Sequence, residues 1–557
     1  MKFNQKFFLL GLSTLIAVLP SRSALAAWPF EIPDTTVALG LQLRENFDVG
    51  LQPSVLQARL PLNDSNPGEL RSRYCPTFES EACIQSEYVY LSHNWDVCNS
   101  KLVLDCIVGV WAVDPSGKRI DGQYLKSAPA NVKYDYEESV PMNRPSSRGM
   151  GGIWKFPGVL NGAGKDTYFV SVQSQLNMNK AAKVPMSQAK FDGNNNRAAI
   201  FGVEEYPGNF EPPYPVDGGR GGMDRLSDGT LCIAADTNVC HKVVAMPEDY
   251  RFGLSIRFAK PVNGWFHGRF FQPNVEISQS KNGQIVSIEA APVRVSSLDF
   301  IVPKNEIVEP VKKLIFNGKG WGHSGGPDSG IRITEDLSNS KTFDLIRLFA
   351  PMYKDKATKT ESSWSFKTLT ENGDSPVSRC TASSTSLAGL VTTNALSYSA
   401  GAPTFNRSTG TLEYQVASPH LEANGQIASG TYDLALRSDI ARCIYNFSNA
   451  PIKAEVSITG DDGEKRVATT VVNEKDGWLY MSAKGFTFSA PKIQVKISQE
   501  APAKVEEVKT TTEVVKTTAA VTPKVVAAKK SITCVKGKIT KKITGSSPKC
   551  PTGFKRK

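Results

Sequence analysis

The sequence predicts an all-β, multidomain protein built from antiparallel β-sandwich domains with disulfides, a flexible C-terminal linker and a basic tail. Apolar and polar residues alternate with a period of two across much of 376–500, as expected where successive side chains of a strand point to opposite faces. The ten cysteines fall into closely spaced pairs, and residues 501–530 contain no aromatic residue. At 557 residues the chain is long enough for three or four domains of roughly 150 residues each.

The first 26 residues are expected to form a cleavable secretory signal peptide. Lys2 and Lys6 precede an apolar run over residues 7–19, and the small residues Ala24 and Ala26 follow it. This order of basic, apolar and small-residue regions directs export. The 13 residues of the apolar run are too few to cross a bilayer as a helix, which takes about 20. We therefore expect a secreted protein with no transmembrane segment in the mature chain.

All ten cysteines follow this segment, and an even number of cysteines in an exported chain predicts disulfide bonds. Three neighbouring pairs share the spacing Cys-x7-Cys. Bonding between sequence neighbours is therefore the simplest arrangement, although the number alone allows about 945 pairings. Zinc binding is the alternative, and no Cys-x2-Cys or His-Glu-x-x-His motif supports it. The predicted disulfide cysteines are Cys75, Cys83, Cys98, Cys106, Cys232, Cys240, Cys380, Cys443, Cys534 and Cys550.

The body of the chain divides by pattern into three segments. Residues 27–300 are expected to form an N-terminal β region, either as one large sandwich or as two smaller ones. Residues 301–375 are predicted to be a connector, and residues 376–500 a β-sandwich domain. The strand pattern is clearest in this third segment, where Leu412 and Tyr414 alternate with polar neighbours.

The C-terminal part differs from the body in composition and charge. We expect a disordered linker over 501–530 and a basic, disulfide-closed tail over 531–557. Residues 27–500 carry 48 basic and 51 acidic residues, whereas residues 501–557 carry 14 basic and 3 acidic ones. The net charge of +11 therefore belongs to the two ends of the chain and not to the body. An anionic cell-wall or surface polymer is the predicted partner of the tail, and we do not expect the body to bind nucleic acid.

The tail reads ITCVKGKITKKIT from Ile532 and PKCPTGFKRK from Pro548. This pattern resembles a C-terminal module of exported proteins of planktonic Actinobacteria, in which it follows a flexible linker on varied ectodomains. The stretch 430–451, with EKDGW at 474–478 and GFTFSAP at 485–491, is similar to a β module of the same group. The resemblance covers about a quarter of the chain. It implies secretion and surface association, and it implies no catalytic residue.

One strand carries a candidate binding face. Alternation along 264–271 places Trp265, His267, Arg269 and Phe271 on one face and two other phenylalanines on the opposite one. Aromatic rings stack on sugar rings, and an imidazole and a guanidinium hydrogen-bond to sugar hydroxyls, so this face is a candidate carbohydrate site. The alternative is that a neighbouring strand or sheet covers the face.

Other motifs lack the context that their chemistry needs. Ser324 stands in Gly-x-Ser-x-Gly, the nucleophile motif of serine hydrolases, but Pro327 follows where a helix should begin. The sequence GAGKD at 162–166 lacks the Ser or Thr that follows Gly-Lys in a phosphate loop. The adjacent carboxylates at 137–138 and 204–205 would point to opposite faces of a strand and would not converge as glycosidase carboxylates do. The spacing of Asp217, Asp224 and Asp228 matches no calcium loop.

These observations favour a binding or structural role over catalysis, in a secreted and cell-surface-associated protein without a cofactor or a metal. The alternative is a secreted hydrolase that acts on polysaccharide, with its site in the loops of the 75–300 region. A pocket with converging ionisable groups would favour the enzyme, whereas a broad aromatic or featureless face would favour a binding protein.

Overall fold

The computed structural model is all-β, as the sequence predicts, with a few short helices. The predicted signal peptide and most of the predicted linker lie outside the residues that the structure describes. The described residues are 36–45, 54–61, 70–129, 135–212, 214–216, 219–221, 226, 230–316, 322–326, 328–369, 376–382, 386–448, 452–459, 465–467, 471–488, 492–499, 530–536, 539–545, 549–551 and 553–556.

Thirty-three strands are formed by these residues. In the N-terminal half they are β1 Ala38–Leu43, β2 Val55–Pro61, β3 Leu70–Tyr74, β4 Tyr88–Asn94, β5 Cys106–Val113, β6 Arg119–Asp121, β7 Gln123–Ala128, β8 Gly151–Lys155, β9 Thr167–Asn179, β10 Asp192–Pro207, β11 Tyr214–Val216, β12 Gly219–Gly221, β13 Cys232–Asp236, β14 Val239–Val244, β15 Arg251–Phe258, β16 Gly264–Ser280 and β17 Gly283–Pro303. The remaining strands are β18 Gly322–Gly326, β19 Gly330–Thr334, β20 Lys359–Leu369, β21 Leu387–Thr393, β22 Ser397–Tyr398, β23 Thr404–Asn406, β24 Thr411–Ala417, β25 Gly430–Arg437, β26 Ile452–Thr459, β27 Lys465–Val467, β28 Val471–Lys475, β29 Trp478–Phe486, β30 Lys492–Gln499, β31 Lys530–Lys536, β32 Ile539–Gly545 and β33 Lys555–Arg556.

The helices are short. The α-helices are α1 Glu81–Gln85, α2 Glu309–Phe316, α3 Ser340–Tyr353, α4 Pro376–Thr381 and α5 Ser438–Tyr445, and two 3-10 turns occur at Met186–Gln188 and Lys304–Glu306. The longest, α3, has 14 residues and is capped by the side chain of Asn339, which accepts a hydrogen bond from the backbone of Lys341. Among the described helices, none is long and apolar enough to cross a membrane.

A central sheet joins segments that are far apart in the sequence. Its strands run in the order β29, β25, β21, β16, β20, β10 and β9, all antiparallel except the parallel pair β16 and β21. Strand β20 comes from the predicted connector and lies between β16 and β10. Backbone hydrogen bonds therefore join 27–300, 301–375 and 376–500, and the described residues before 500 belong to one compact unit.

The central sheet is covered by a hydrophobic core on each face. Trp265 and Leu434 lie in a first core, which also contains residues of α3 and of the second sheet, β22, β24, β30, β26 and β27. Phe266 and Leu390 point the opposite way, into a second core with residues of β5, β9, β15 and β17. Because both faces are buried, β21 reads as a nearly continuous apolar run and not as an alternating one.

Strand β16 leaves the central sheet partway along its length. Its first residues pair with β20 and β21, whereas its residues from Phe270 onward pair with β17. The register shifts between Phe271 and Asn274, so that Gln272 and Pro273 together oppose one residue of β17, which is a β-bulge. Gln272 has a φ of 50°, a left-handed conformation that is uncommon outside glycine. The chain thus passes from the central sheet to β17 at Phe270, and the bulge at Gln272 and Pro273 follows directly.

All five neighbouring cysteine pairs form disulfide bonds, which confirms the pairing by sequence order. Bonds link Cys75 to Cys83, Cys98 to Cys106, Cys232 to Cys240, Cys380 to Cys443 and Cys534 to Cys550. All ten cysteines of the sequence are thereby paired. The bond between Cys380 and Cys443 joins the helices α4 and α5, and the two cysteines are 63 positions apart in the sequence.

The described residues from 530 onward belong to a second, smaller unit. It is a three-stranded antiparallel sheet in the order β32, β31, β33. The disulfide between Cys534 and Cys550 closes it, and Ile532 is buried beside that bond. We call this unit the basic module.

Candidate functional site

The predicted binding face of β16 is buried. Trp265, His267 and Arg269 are at most 1% exposed, and Phe271 is half-buried. Residues 393–398, which include β22, contact this face from the side of the first core. Trp265, His267 and Arg269 therefore form no surface that a carbohydrate can reach, because a neighbouring part of the chain covers them.

Arg269 is the centre of a buried polar network. Its Nε and Nη2 contact the Glu45 carboxylate at 2.9 and 2.6 Å. Its Nη1 donates to the carbonyl oxygens of Thr393, at 3.1 Å, and Ala395, and Nη2 donates to that of Leu396 at 3.0 Å. A guanidinium has five N–H donors, and all five have acceptors here. Arg269 therefore holds the segment between β21 and β22 in place and has no donor left for a ligand.

The ring of Tyr398 packs against three nitrogen-bearing side chains in this network. His267 stacks on it with ring centroids 3.6 Å apart and an interplanar angle of 5°. The Arg269 guanidinium lies 4.5 Å and the Lys367 ammonium 5.3 Å from the centroid. Burial, together with these two cations, holds the pKa of His267 well below its ordinary value, so the imidazole is neutral. The network is therefore part of the folded core.

The other sequence motifs also have structural explanations. Ser324 lies in β18, in an antiparallel hairpin with β19, and not at the strand-to-helix turn of a hydrolase nucleophile. The GAGKD segment is a turn in which the Asn161 N–H donates to the Lys165 carbonyl at 2.8 Å. Within the residues that the structure describes, no three His, Cys, Asp or Glu side chains are grouped to hold a metal ion. Outside the described residues lie Asp217, Asp224 and Asp228.

The adjacent carboxylate pairs at 137–138 and 204–205 are engaged by other parts of the protein. Each of the four carboxylates contacts a different partner, so these contacts do not bring any two of them together. The contacts are Glu137 to Arg148 at 2.6 Å, Glu138 to the Leu104 N–H at 2.7 Å, Glu204 to Lys242 at 3.8 Å and Glu205 to Lys126 at 3.8 Å.

Three acids, Asp96, Asp135 and Glu137, are gathered around Arg148 in the 75–300 region. Arg148 contacts Asp96 at 3.7 Å and Glu137 at 2.6 Å. Asp96 also accepts a hydrogen bond from Ser146 at 3.0 Å, and Asp135 accepts one from the Gly149 N–H at 2.7 Å. Burial raises the pKa of Asp135 above its ordinary value. Because each of these acids already has a partner within the protein, the cluster stabilises its loop and does not support the hydrolase alternative.

A small pocket lies where β16 changes sheets. Its volume is about 180 Å³. Two hydrogen bonds fix β16 near it: the Gln272 N–H donates to Asp433 Oδ2 at 2.8 Å, and the Val275 N–H donates to the Tyr480 hydroxyl at 3.1 Å. Pro273 lies between these points and has no N–H to donate, so no backbone hydrogen bond from this residue crosses the pocket. The lining residues are Gln272, Pro273, Asp433, Leu434, Ala435, Tyr480, Met481 and Ser482.

The left-handed backbone of Gln272 is held from both sides. Its N–H donates to Asp433, and its carbonyl accepts a hydrogen bond from Arg251 Nη2 at 2.8 Å. Arg251 is itself paired with Glu289 at 3.0 Å. Residues in such sparsely populated conformations persist only where the surroundings impose them, and they cluster at binding and catalytic sites. The bulge, the held backbone and the pocket together make this central part of β16 the candidate functional site.

Asp433 is the titratable group of this site. It is 2% exposed, and its Oδ2 also accepts a hydrogen bond from the Thr392 hydroxyl at 2.9 Å. The Ser482 hydroxyl also donates a hydrogen bond to this carboxyl. Burial raises the pKa of Asp433 to about 6. The sequence did not single out this residue, because in an alternating strand Asp433 looks like an ordinary solvent-facing position.

Replacing Asp433 with Asn is expected to stabilise the protein at neutral pH. The folded-state pKa is raised, so between about pH 4 and pH 6 the folded state keeps a proton that the unfolded state releases. The contribution of Asp433 to the free energy of unfolding is fully present below about pH 4. It is lost as the pH rises through 6, and the total loss is about 3 kcal/mol. Urea unfolding of the Asp433→Asn variant should therefore show a gain of up to about 3 kcal/mol at pH 7 and no gain at pH 4.

A matched control for this measurement is Asp476→Asn, because the Asp476 side chain is 80% exposed. This variant should change stability little at either pH. An Asp433→Asn protein that is less stable than the parent at pH 7 would show that the carboxylate is stabilising and that its burial is not the dominant effect.

Comparison of the chain with protein-family models, with curated proteins and with solved structures finds no match. The geometry of the site offers a pocket with one buried carboxyl beside the bulge of β16 and with the hydroxyls of Tyr480 and Ser482 in its lining, and it offers no second acid among the described residues that line it.

Proposed function

We propose that this chain is an exported, disulfide-stabilised binding protein that works outside the cytoplasm and is retained at an anionic cell surface by its basic module. The body supplies the binding role, and the basic module supplies the retention. Five disulfides support an oxidising compartment, because such bonds are rare in cytosolic proteins. The resemblance of the tail to the C-terminal module of exported actinobacterial proteins supports the same location.

The observation that carries this proposal is the charge of the basic module. Residues 531–557 contain no Asp or Glu. A small disulfide-closed sheet with cations on its surface and no acid to neutralise them attracts polyanions through its field. The exposed cations are Lys536, Lys541, Lys542, Lys549, Lys555 and Arg556.

The arrangement of these cations favours a polymer over a small anion. Lys541 and Lys542 are neighbours in β32, so they point to opposite faces of the sheet. Lys541 lies with its ammonium 5.5 Å from the ring centroid of Phe554. Positive charge on both faces does not form a single pocket. It suits a flexible anionic chain, such as a cell-wall polymer, that can contact several cations at once.

Neutralising two of these lysines should weaken retention. We expect Lys541→Gln/Lys542→Gln to bind an immobilised polyanion, heparin on agarose, about 25-fold more weakly, since a cation near an anionic surface contributes about 1 kcal/mol. The parent protein should elute at high salt, and the double variant should elute at lower salt, because salt screens exposed charges. The measurement is the salt concentration at elution and the dissociation constant at fixed salt.

The matched control removes the same charge from the body. Lys101 and Lys118 are exposed, and Lys101→Gln/Lys118→Gln should elute like the parent. In cells, deletion of residues 501–557 should release the protein into the medium. Equal retention of the parent, the tail variant and the deletion would refute the proposal.

A further inference from the structure

A larger cleft follows the pocket along the same strands. Its volume is about 1050 Å³, and residues 274–279 of β16 form one wall. The end of β25, the start of α5 and the turn between β28 and β29 form the other wall. The cleft is lined by Asn274, Val275, Glu276, Ile277, Gln279, Gln284, Ser386, Arg437, Ser438, Asp439, Arg442, Glu474, Lys475, Asp476, Gly477 and Trp478.

The charged side chains of the cleft largely neutralise one another. Four acidic and three basic residues line it, so it has no excess of positive charge that would select an anionic ligand. Each basic residue also has an acidic partner within the cleft, which leaves no isolated cation to bind a carboxylate or phosphate. The pairs are Arg437 Nε with Asp439 Oδ1 at 2.9 Å, Arg442 with Glu474 at 3.1 Å and Lys475 with Asp476 at 3.9 Å.

Uncharged amides complete the polar lining. Asn274 and Gln279 are exposed on β16. Gln284 is only 2% exposed. Its Nε2 lies 3.5 Å from the Ser386 hydroxyl, and its Oε1 accepts no hydrogen bond from any described residue. Because Gln284 is buried behind the cleft surface, the exposed amides of Asn274 and Gln279 are the ones that a ligand can reach. An amide both donates and accepts, as a sugar hydroxyl does.

We propose that this cleft binds a neutral oligosaccharide, whose hydroxyls meet the amides and the paired charges along it. Six residues of β16 span about 17 Å at 3.3 Å per residue, a length that suits several sugar units in a row. The cleft ends at the bulge of Gln272 and Pro273, because the residues of β16 that precede the bulge belong to the central sheet or lie next to it. This inference rests on the proposed binding role of the body and does not depend on the basic module.

A glycan array of neutral and acidic oligosaccharides, probed with the full-length protein, tests the ligand class. We expect binding to neutral members, followed by saturable binding of the best one in isothermal titration calorimetry. Asn274→Ala and Gln279→Ala are measured as separate variants, because the two side chains lie an odd number of positions apart on β16 and point to opposite faces of the strand. At least one of them should bind that glycan at least tenfold more weakly, since both amides are exposed.

Gln415→Ala is the matched control, since this exposed amide lies on β24 in the second sheet, away from the cleft. It should bind like the parent. Binding only of acidic glycans, binding of an extended alanine-rich peptide in place of glycans, or equal affinity in the cleft variants and the control would each overturn the inference. A neutral glycan carries no charge for the basic module to attract. The heparin measurement with Lys541→Gln/Lys542→Gln and the glycan measurement therefore test the two proposals independently.

Discussion

Truncation of Arg269 to Ala should lower the free energy of unfolding by about 4 kcal/mol. Breaking a buried ion pair by removing one partner typically costs 3–5 kcal/mol, because the other partner stays buried without compensation. Here the partner is Glu45, whose side chain is 17% exposed, and three backbone carbonyls between β21 and β22 lose their donor as well. Urea unfolding at pH 7, followed by tryptophan fluorescence, measures the loss.

Two further variants distinguish the loss of the buried Arg269 contacts from the effect of removing any arginine side chain. Arg269→Lys keeps the charge but has three donors on one nitrogen, which cannot reach the acceptors that the planar guanidinium reaches. It should recover less than half of the lost stability. Arg294→Ala removes a 44% exposed arginine that pairs with Glu422 and should cost less than about 1 kcal/mol. A loss below 1 kcal/mol for Arg269→Ala would contradict a stabilising role for the network.

The residues around Arg269 show what alternation can and cannot predict. The pattern of β16 correctly separates Trp265 from Phe266, which lie in different cores. It does not show that both faces are covered. The cover comes from Leu396 and Tyr398, more than 120 positions later in the chain, and the contact depends on long-range strand pairing. The chemistry of the side chains was visible in the sequence, whereas their burial was not.

Disulfide pairing was predictable because most of it is local. Three of the five bonds join cysteines eight positions apart, and a short loop of that kind leaves few other partners within reach. The predicted segment boundaries at 300 and 375 depend on the local strand pattern. The local pattern does not show that β20 lies hydrogen-bonded between β16 and β10, since that pairing depends on the register of distant strands.

The candidate site escaped sequence analysis, although one signal for it was present. Pro273 interrupts an otherwise strand-like segment, and proline within a strand marks an edge or a bulge. Asp433 alternates with Tyr432 and Leu434, which predicts a solvent-facing carboxylate. The structure buries Asp433 because β16 packs against β25 at this position. The backbone N–H of Gln272 in β16 donates a hydrogen bond to the Asp433 carboxylate. A polar residue on the outer face of one strand is exposed only if no second strand packs there.

Removal of the Cys380–Cys443 disulfide, by replacing both cysteines with Ala, should lower the free energy of unfolding by about 4 kcal/mol. The bond closes a loop with a sequence separation of 63, and in the chain-entropy model the stabilisation grows with the length of the loop. The same change at Cys75 and Cys83, which are only 8 positions apart, should cost about 3 kcal/mol. Urea unfolding of both double variants against the parent gives the two values.

The loop closed by Cys380 and Cys443 contains the 393–396 segment that Arg269 holds, so the two largest effects concern the same part of the fold. They arise in different states, because the disulfide limits the unfolded chain whereas Arg269 makes its contacts only in the folded one. Their losses should therefore add to within about 0.5 kcal/mol when Arg269→Ala is combined with the Cys380→Ala/Cys443→Ala change. A coupling of 2 kcal/mol or more would show instead that the disulfide positions the Arg269 network in the native structure.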